Sequence, residues 1–169
     1  MKHIMIDLET LGTKPGCVVL SIGAVTFDPY TGKLGEEWYR KMNWQMQELD
    51  IEPGTWAWWL EQSAEARIEA FSGTANLPLV GHDFRAFWVD QNAEFLWCHG
   101  ATFDAPVWEA AAGFAPWRYN QVRDTRTVYD MAQVFPDRTV GTHHNALDDA
   151  RNQAVAVCAA YKKLGIGAP

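Results

Sequence analysis

The sequence has few cysteines, no long apolar run and a shortage of positive charge. Its three cysteines, Cys17, Cys98 and Cys158, lie far apart and form no C-x-x-C pair. A disulfide framework and a cysteine zinc site are therefore not expected, and a reducing cytoplasm suits such a chain. Residues Met1 to Asp7 break their apolar run with a charge almost at once, and no stretch reaches the roughly 18 apolar residues of a span. Neither a secretory leader nor a membrane partner is expected. Lys plus Arg number 14 against 21 Asp plus Glu, for a net charge of −7. That excludes a protein that holds nucleic acid by bulk charge, because such binders are basic. It does not exclude an enzyme whose site carries bound cations. Internal repeats and low-complexity linkers are missing too. The 169 residues suit one domain, spanning 1–169 with a short tail after about 164.

What is abundant is apolar and aromatic. Apolar residues make up 48% and there are nine tryptophans. Ile4 to Leu8 and Val18 to Phe27 read as strands. The Asp28-Pro29-Tyr30-Thr31-Gly32 turn then returns Leu34 to Asn43 as a third, antiparallel strand. Helical stretches are expected at Trp56 to Gln62, at Ser63 to about Phe71 with Ser63 as N-cap, and at Leu79 to Asn92. Glu94 to Cys98 is a short buried strand, followed by a helix from about Thr102 to Ala112. A strand at Tyr119 to Arg123, a helix at Thr125 to Val134, a loop over 138–142 and a long amphipathic helix from Asn145 to Leu164 complete the order. Strands first, then alternating helices and strands, make an α/β domain with a mixed sheet flanked by helices.

Three groups of residues carry chemistry. Asp7 and Glu9 sit two apart on the first strand, so both carboxylates share a face near its carboxyl end. Open α/β sheets bind ligands at that end. Two carboxylates so close repel unless a cation lies between them, and oxygen ligands suit Mg²⁺ or Mn²⁺. A solvated strand end is the plainer reading. Asp104 is a second acid, at a strand-to-helix junction after Gly100; by itself it also reads as a first-turn acid on the helix dipole. The third group is Thr142 to Ala150, THHNALDDA. Asn145 is a good N-cap, which makes Asp148 the third helical residue and a capping partner. Asp149 points elsewhere. His144 and Asp149, five apart, do not share a helical face. They converge only if His144 sits on the loop before the cap, an arrangement that suits a mobile general base beside a fixed ligand. No set of further Cys or His ligands supports zinc.

Taken in order, Asp7-Leu8-Glu9-Thr10, Gly100-Ala101-Thr102-Phe103-Asp104 and His144-Asn145-Ala146-Leu147-Asp148-Asp149 resemble the DEDDh family of 3′-to-5′ exonucleases, the DnaQ-like enzymes of the ribonuclease-H-like fold. The motifs D-x-E-T, G-x-x-F-D and H-x4-D are all met, across nearly the whole chain. The tract Thr55 to Arg67, TWAWWLEQSAEAR, is similar to a narrower phage and prophage branch that includes DexA-like and mycobacterial exoribonuclease-like proteins. The resemblance implies Asp7, Glu9, Asp104 and Asp149 as ligands of two Mg²⁺ or Mn²⁺ ions and His144 as general base. It implies a nucleic-acid substrate with a free 3′ end and release of nucleoside 5′-monophosphates. DNA is the first expectation and RNA the alternative; a catalytically silent nucleic-acid-binding module is the rival of another class. Many relatives carry Asn before the second motif's Gly, where this chain has His99.

Substrate contacts are expected from Thr10 through its backbone, from Leu11 as a wedge on the terminal base, from His99 and Phe103 beside the second motif, and from Trp59 by stacking. Trp56 and Trp59 share a helix face, and core packing is the plainer reading of both, as loop packing is of Leu11. Arg118, Arg123, Arg126 and Arg138 could hold the strand, or could pair with Asp124, Asp130 and Asp137. Relatives are often homodimers, and the surplus tryptophans offer material for such an interface.

Overall fold

A computed structural model describes residues 2–137, 139 and 144–168. Arg138, and with it most of the loop expected over 138–142, lies outside the described residues. The strands are β1 (His3–Thr10), β2 (Val19–Asp28), β3 (Lys33–Lys41), β4 (Phe95–Cys98) and β5 (Val122–Asp124), in the spatial order β3-β2-β1-β4-β5. β1, β2 and β3 form an antiparallel meander, whereas β4 runs parallel to β1 and β5 parallel to β4. The sheet is thus mixed, as the element order requires.

The helices are α1 (Pro53–Glu61), α2 (Ala64–Phe71), α3 (Leu77–Asp90), α4 (Asp104–Ala112), α5 (Thr125–Ala132) and α6 (Ala146–Leu164). Several boundaries differ from expectation for local reasons. α1 begins at Pro53 instead of Trp56, because Pro's fixed φ suits a first helical position. α4 begins at Asp104 instead of Thr102, because Gly100 takes a left-handed φ of 115° and its carbonyl closes a tight turn onto Phe103. The strand expected at Tyr119–Arg123 is a 3-10 turn, Tyr119–Gln121, leading into the three residues of β5. None of the described helices is long and apolar enough to cross a membrane.

Strand parity divides the core. Ile4, Ile6 and Leu8 of β1 face α3 and α4, packing with Phe84, Trp108 and Trp117. Met5 faces the other way, with Phe27, Trp97, Tyr129 and the alanine-rich face of α6. Small α6 residues, Ala150, Ala154 and Val157, let that helix lie close on β1 and β2. A third cluster joins Leu11, Val18 and Leu20 to Trp59 and Ala70. β1 is therefore covered on both faces, and what its odd positions carry past Met5 is a matter of chemistry.

Candidate active site

Past Met5 the odd positions of β1 are Asp7 and Glu9. They stay on the α6 face, as period-2 geometry dictates. Opposite Asp7 on β2 stands Gly23. A Cβ there would come within 2.3 Å of the backbone of Ala146 and Leu147. The bare glycine lets the first turn of α6 press onto the sheet, which brings Asp149 to β1. Carboxylate oxygens of Asp7, Glu9 and Asp149 lie within 4.8 Å of one another.

The start of α6 is fixed locally. Asn145 accepts hydrogen bonds from the Leu147 and Asp148 amides, and its own amide group donates to Glu69 on α2. Asp148 turns away and pairs with Arg151, which also holds Glu37 on β3 at 2.6 Å. Gln153, one turn after Asp149, is buried and donates from Nε2 to Asp7 Oδ1 at 2.7 Å. Sequence reasoning missed Gln153 and Gly23. Gln153 had a signal, since a residue four after a helical acid shares its face.

Asp104 enters from the first turn of α4. It is 2% exposed, and its Oδ2 has no hydrogen-bond partner among the described residues. It stands outside the 4.8 Å triple, yet its charge is the second cause, after burial, that raises Asp7. Burial above all, then the charges of Asp104, Glu9 and Asp149, hold Asp7 well above the ordinary carboxylate range; Gln153 opposes them. Burial, then Asp149 and Asp104, push Glu9 up to about 8. Burial raises Asp104 to about 7 against hydrogen bonds from backbone amides and the nearby Arg126 guanidinium. Such a group of mutually repelling oxygens, half-buried at Asp7 and Asp149 and buried at Glu9, fits hard divalent cations.

His144 sits on the loop before the cap, with a left-handed φ of 60° that a non-glycine residue adopts at some cost. Its ring meets the edges of Trp58 at 4.9 Å and Trp59 at 5.8 Å between centroids.

The expected substrate contacts fare unevenly. Trp59 is 1% exposed and donates from Nε1 to the Thr10 carbonyl, so its stacking role is corrected: it is a wall of the core. The face shared with Trp56 is the one that packs on Phe71 of α2. Trp58, 41% exposed, is the open tryptophan of the three. Leu11 is also corrected. It is fully buried among Val18, Leu20 and Trp59, and its amide and carbonyl are bonded to Val18 and Glu52, so it is packed as loop core and presents no wedge. Thr10 is buried, its hydroxyl on the Gly12 carbonyl. His99 lies half-buried with Nδ1 2.9 Å from the Thr125 hydroxyl, and Phe103 packs half-buried on the α3–α4 core. Arg126 lies beside Gly100, while Arg123 spreads over Phe95. Among the described residues none of Arg118, Arg123 and Arg126 forms an ion pair with Asp124, Asp130 or Asp137; Asp124 instead caps α5.

Solved exonucleases share this fold. Exonuclease I of E. coli, in a zinc-bound complex with single-stranded DNA, gives a TM-score of 0.65 at 13% identity over 95% of this chain and 40% of its own. Exonuclease X, in complex with 5′-overhanging duplex DNA, gives 0.60 at 18% identity over 96% of this chain and 93% of its own. Exonuclease I of Methylocaldum szegediense gives 0.69 at 14% identity over 97% and 41%. The chain thus spans about two fifths of the exonuclease I proteins it matches, and at these identities the likeness is one of fold. No curated protein sequence matches significantly. A mixed five-stranded sheet of this order, shared with these solved exonucleases, defines the class by fold. Within that class the chain belongs to the Rv2179c-like 3′-5′ exoribonuclease domain family, which it matches over residues 2–161.

Proposed function

We propose that residues 1–169 act as one exonuclease domain that removes nucleotides from the 3′ end of a single strand. The observation that carries this reading is the convergence of Asp7, Glu9 and Asp149, from distant parts of the chain, into one group within 4.8 Å, with Asp104 beside it. These four residues would hold divalent cations, two Mg²⁺ or Mn²⁺ ions. Cations there would neutralise the pocket and supply Lewis-acid polarisation of the scissile phosphate. As general base, His144 accepts the proton of the attacking water. It stands directly before the cap of α6, the helix that carries Asp149, with its ring against Trp58 and Trp59. Arg126 lies where it can meet a phosphate oxygen beside Asp104. The bond from phosphorus to the 3′ oxygen breaks, and the product is a nucleoside 5′-monophosphate.

RNA is the preferred substrate in this reading, because the family matched over nearly the whole chain is described as exoribonuclease. That reverses the order expected from sequence. DNA is the second reading, favoured by the DNA-bound exonucleases I and X of the same fold. Three free, buried cysteines suit a reducing compartment such as the cytoplasm. The deciding experiment follows 3′- and 5′-labelled RNA and DNA oligomers with Mg²⁺, Mn²⁺ or EDTA. Stepwise loss of the 3′ label as mononucleotide, faster on RNA and absent with EDTA, is expected. Internal fragments, or hydrolysis that survives EDTA, would overturn the assignment.

A further inference from the structure

A cavity lies against Trp59. It has a volume of about 520 Å³ and its walls are Trp44, Trp56, Trp59 and Phe71. That volume is typical of ligand pockets. Phe71 lies 5.7–5.8 Å from each of the three indoles in edge-to-face contact, so the four rings brace one another as a rigid wall. At the rim Leu60 is 55% and Ile68 70% exposed. Arg67 completes the rim, its guanidinium steadied by a 2.8 Å bond to the Leu60 carbonyl.

We propose that this cavity is a stacking pocket for one base of the substrate strand, which deepens the nuclease reading and rests on it. Three observations converge. First, the cavity adjoins the acid site: Trp59 walls it, donates to the carbonyl of Thr10 next to Glu9, and lies 5.8 Å from the His144 ring. Second, beside the buried Trp59 its lining offers the half-buried rings of Trp44, Trp56 and Phe71 and an aliphatic rim with a single cation, which suits a ring with a phosphate attached. Base edges stay in the water at the open mouth, so recognition is by stacking and tolerates any sequence. Third, the chain is acidic, with 14 basic against 21 acidic residues. Counterion release, the usual source of affinity for nucleic acid, is weak here, and stacking supplies what charge does not.

The test measures binding of a fluorescent RNA oligomer to the full chain in EDTA, where no hydrolysis occurs. Ile68→Glu puts a negative charge on the rim at an exposed position. It should weaken binding about 5- to 150-fold, the equivalent of one lost base stack. Val89→Glu, on the exposed face of α3, should leave affinity unchanged. Abasic sites scanned along the oligomer should weaken binding markedly at one position, and that loss should vanish in Ile68→Glu, as coupled partners require. Unchanged affinity in Ile68→Glu, an abasic effect that persists in it, or no binding by the native chain overturns the pocket. So does a dimer in sedimentation that Ile68→Glu dissociates, which assigns the face to a second copy. Hydrolysis with normal rim-variant binding removes the pocket and leaves the nuclease. Rim-sensitive binding without hydrolysis under any divalent ion leaves the pocket and removes the nuclease.

Discussion

β1 buries an ionisable group at each end, on one face of the sheet, and treats the two oppositely. At its start His3 lies among Phe27, Phe95 and Trp97, and its Nδ1 accepts a 2.9 Å hydrogen bond from Trp97 Nε1. Burial lowers its pKa to about 4, so the ring is neutral and satisfied. At its end Glu9 is buried and Asp7 half-buried against two further acids, with Gln153 donating to Asp7. The first end is settled by its neighbours. The second keeps like charges together, the pattern that marks a candidate functional site. The contrast separates a core from a site more sharply than burial does.

The largest expected effect breaks the acid end directly. Asp149→Ala should abolish hydrolysis while leaving stability in EDTA unchanged or higher, because one repelling charge is gone. Asp148→Ala, one residue away, should keep most activity. Its pairing with Arg151 is a partly exposed bridge worth about 1 kcal/mol or less. Turnover under substrate excess and urea denaturation check both. Equal loss of activity at the two positions, with folding intact, would mean that the start of α6 is misread.

Next comes the proton. His144→Ala should lower turnover by about 10²–10⁴ with the fold retained, the usual contribution of a general base. A near-normal rate in that variant would strip His144 of the role and leave the acids to act without it.

A smaller effect sharpens the comparison through stability. Glu9 is raised from 4.5 to about 8, so over that range the folded chain binds a proton that the unfolded chain has lost. Stability without cation therefore falls as pH rises from 4.5 through 8. Mg²⁺ displaces the proton and should add about 4 kcal/mol at a thousandfold excess over its Kd. Thermal melts with EDTA or Mg²⁺ should diverge more at about pH 8 than at about pH 6. A Mg²⁺ shift that is constant with pH would show that the cation does not meet these carboxylates.

Much of the acid end was legible in the sequence because its logic is local. Strand parity places Asp7 and Glu9 on one face, and a cap at Asn145 separates Asp148 from Asp149. What was not legible depends on docking between distant elements. Whether Trp58 or Trp59 meets solvent is decided by where α2 lies against α1, and the indole paired with Trp56 is the one that α2 covers. Leu11 follows the acids closely in sequence, yet Val18, Leu20 and Trp59 enclose it. Gly23 looks like any strand glycine until α6 is seated, when its missing Cβ becomes the reason that the helix fits. The fold class followed from element order, which survives errors of two or three residues at each boundary.

The smallest effect belongs to the settled end and runs against the acid cluster. His3 has an unfolded pKa of 6.5 and a folded value of about 4. Between them the unfolded chain takes a proton that the folded chain refuses, so this residue's contribution to stability declines as pH falls from 6.5 to 4 and changes no further below that. The decline is about 2 kcal/mol once solvent near the strand end is allowed for. His3→Asn keeps an acceptor for Trp97 and removes the titration. The variant should therefore lose less stability than the native chain on acidification from 6.5 to 4 in Mg²⁺-free urea titrations. Over the same interval the carboxylates push the other way, since each is more stable protonated. Subtracting the two curves isolates the histidine. Parallel curves would mean that the imidazole escapes its aromatic cage and charges in the folded state, and the contrast between the two ends of β1 would then be one of degree.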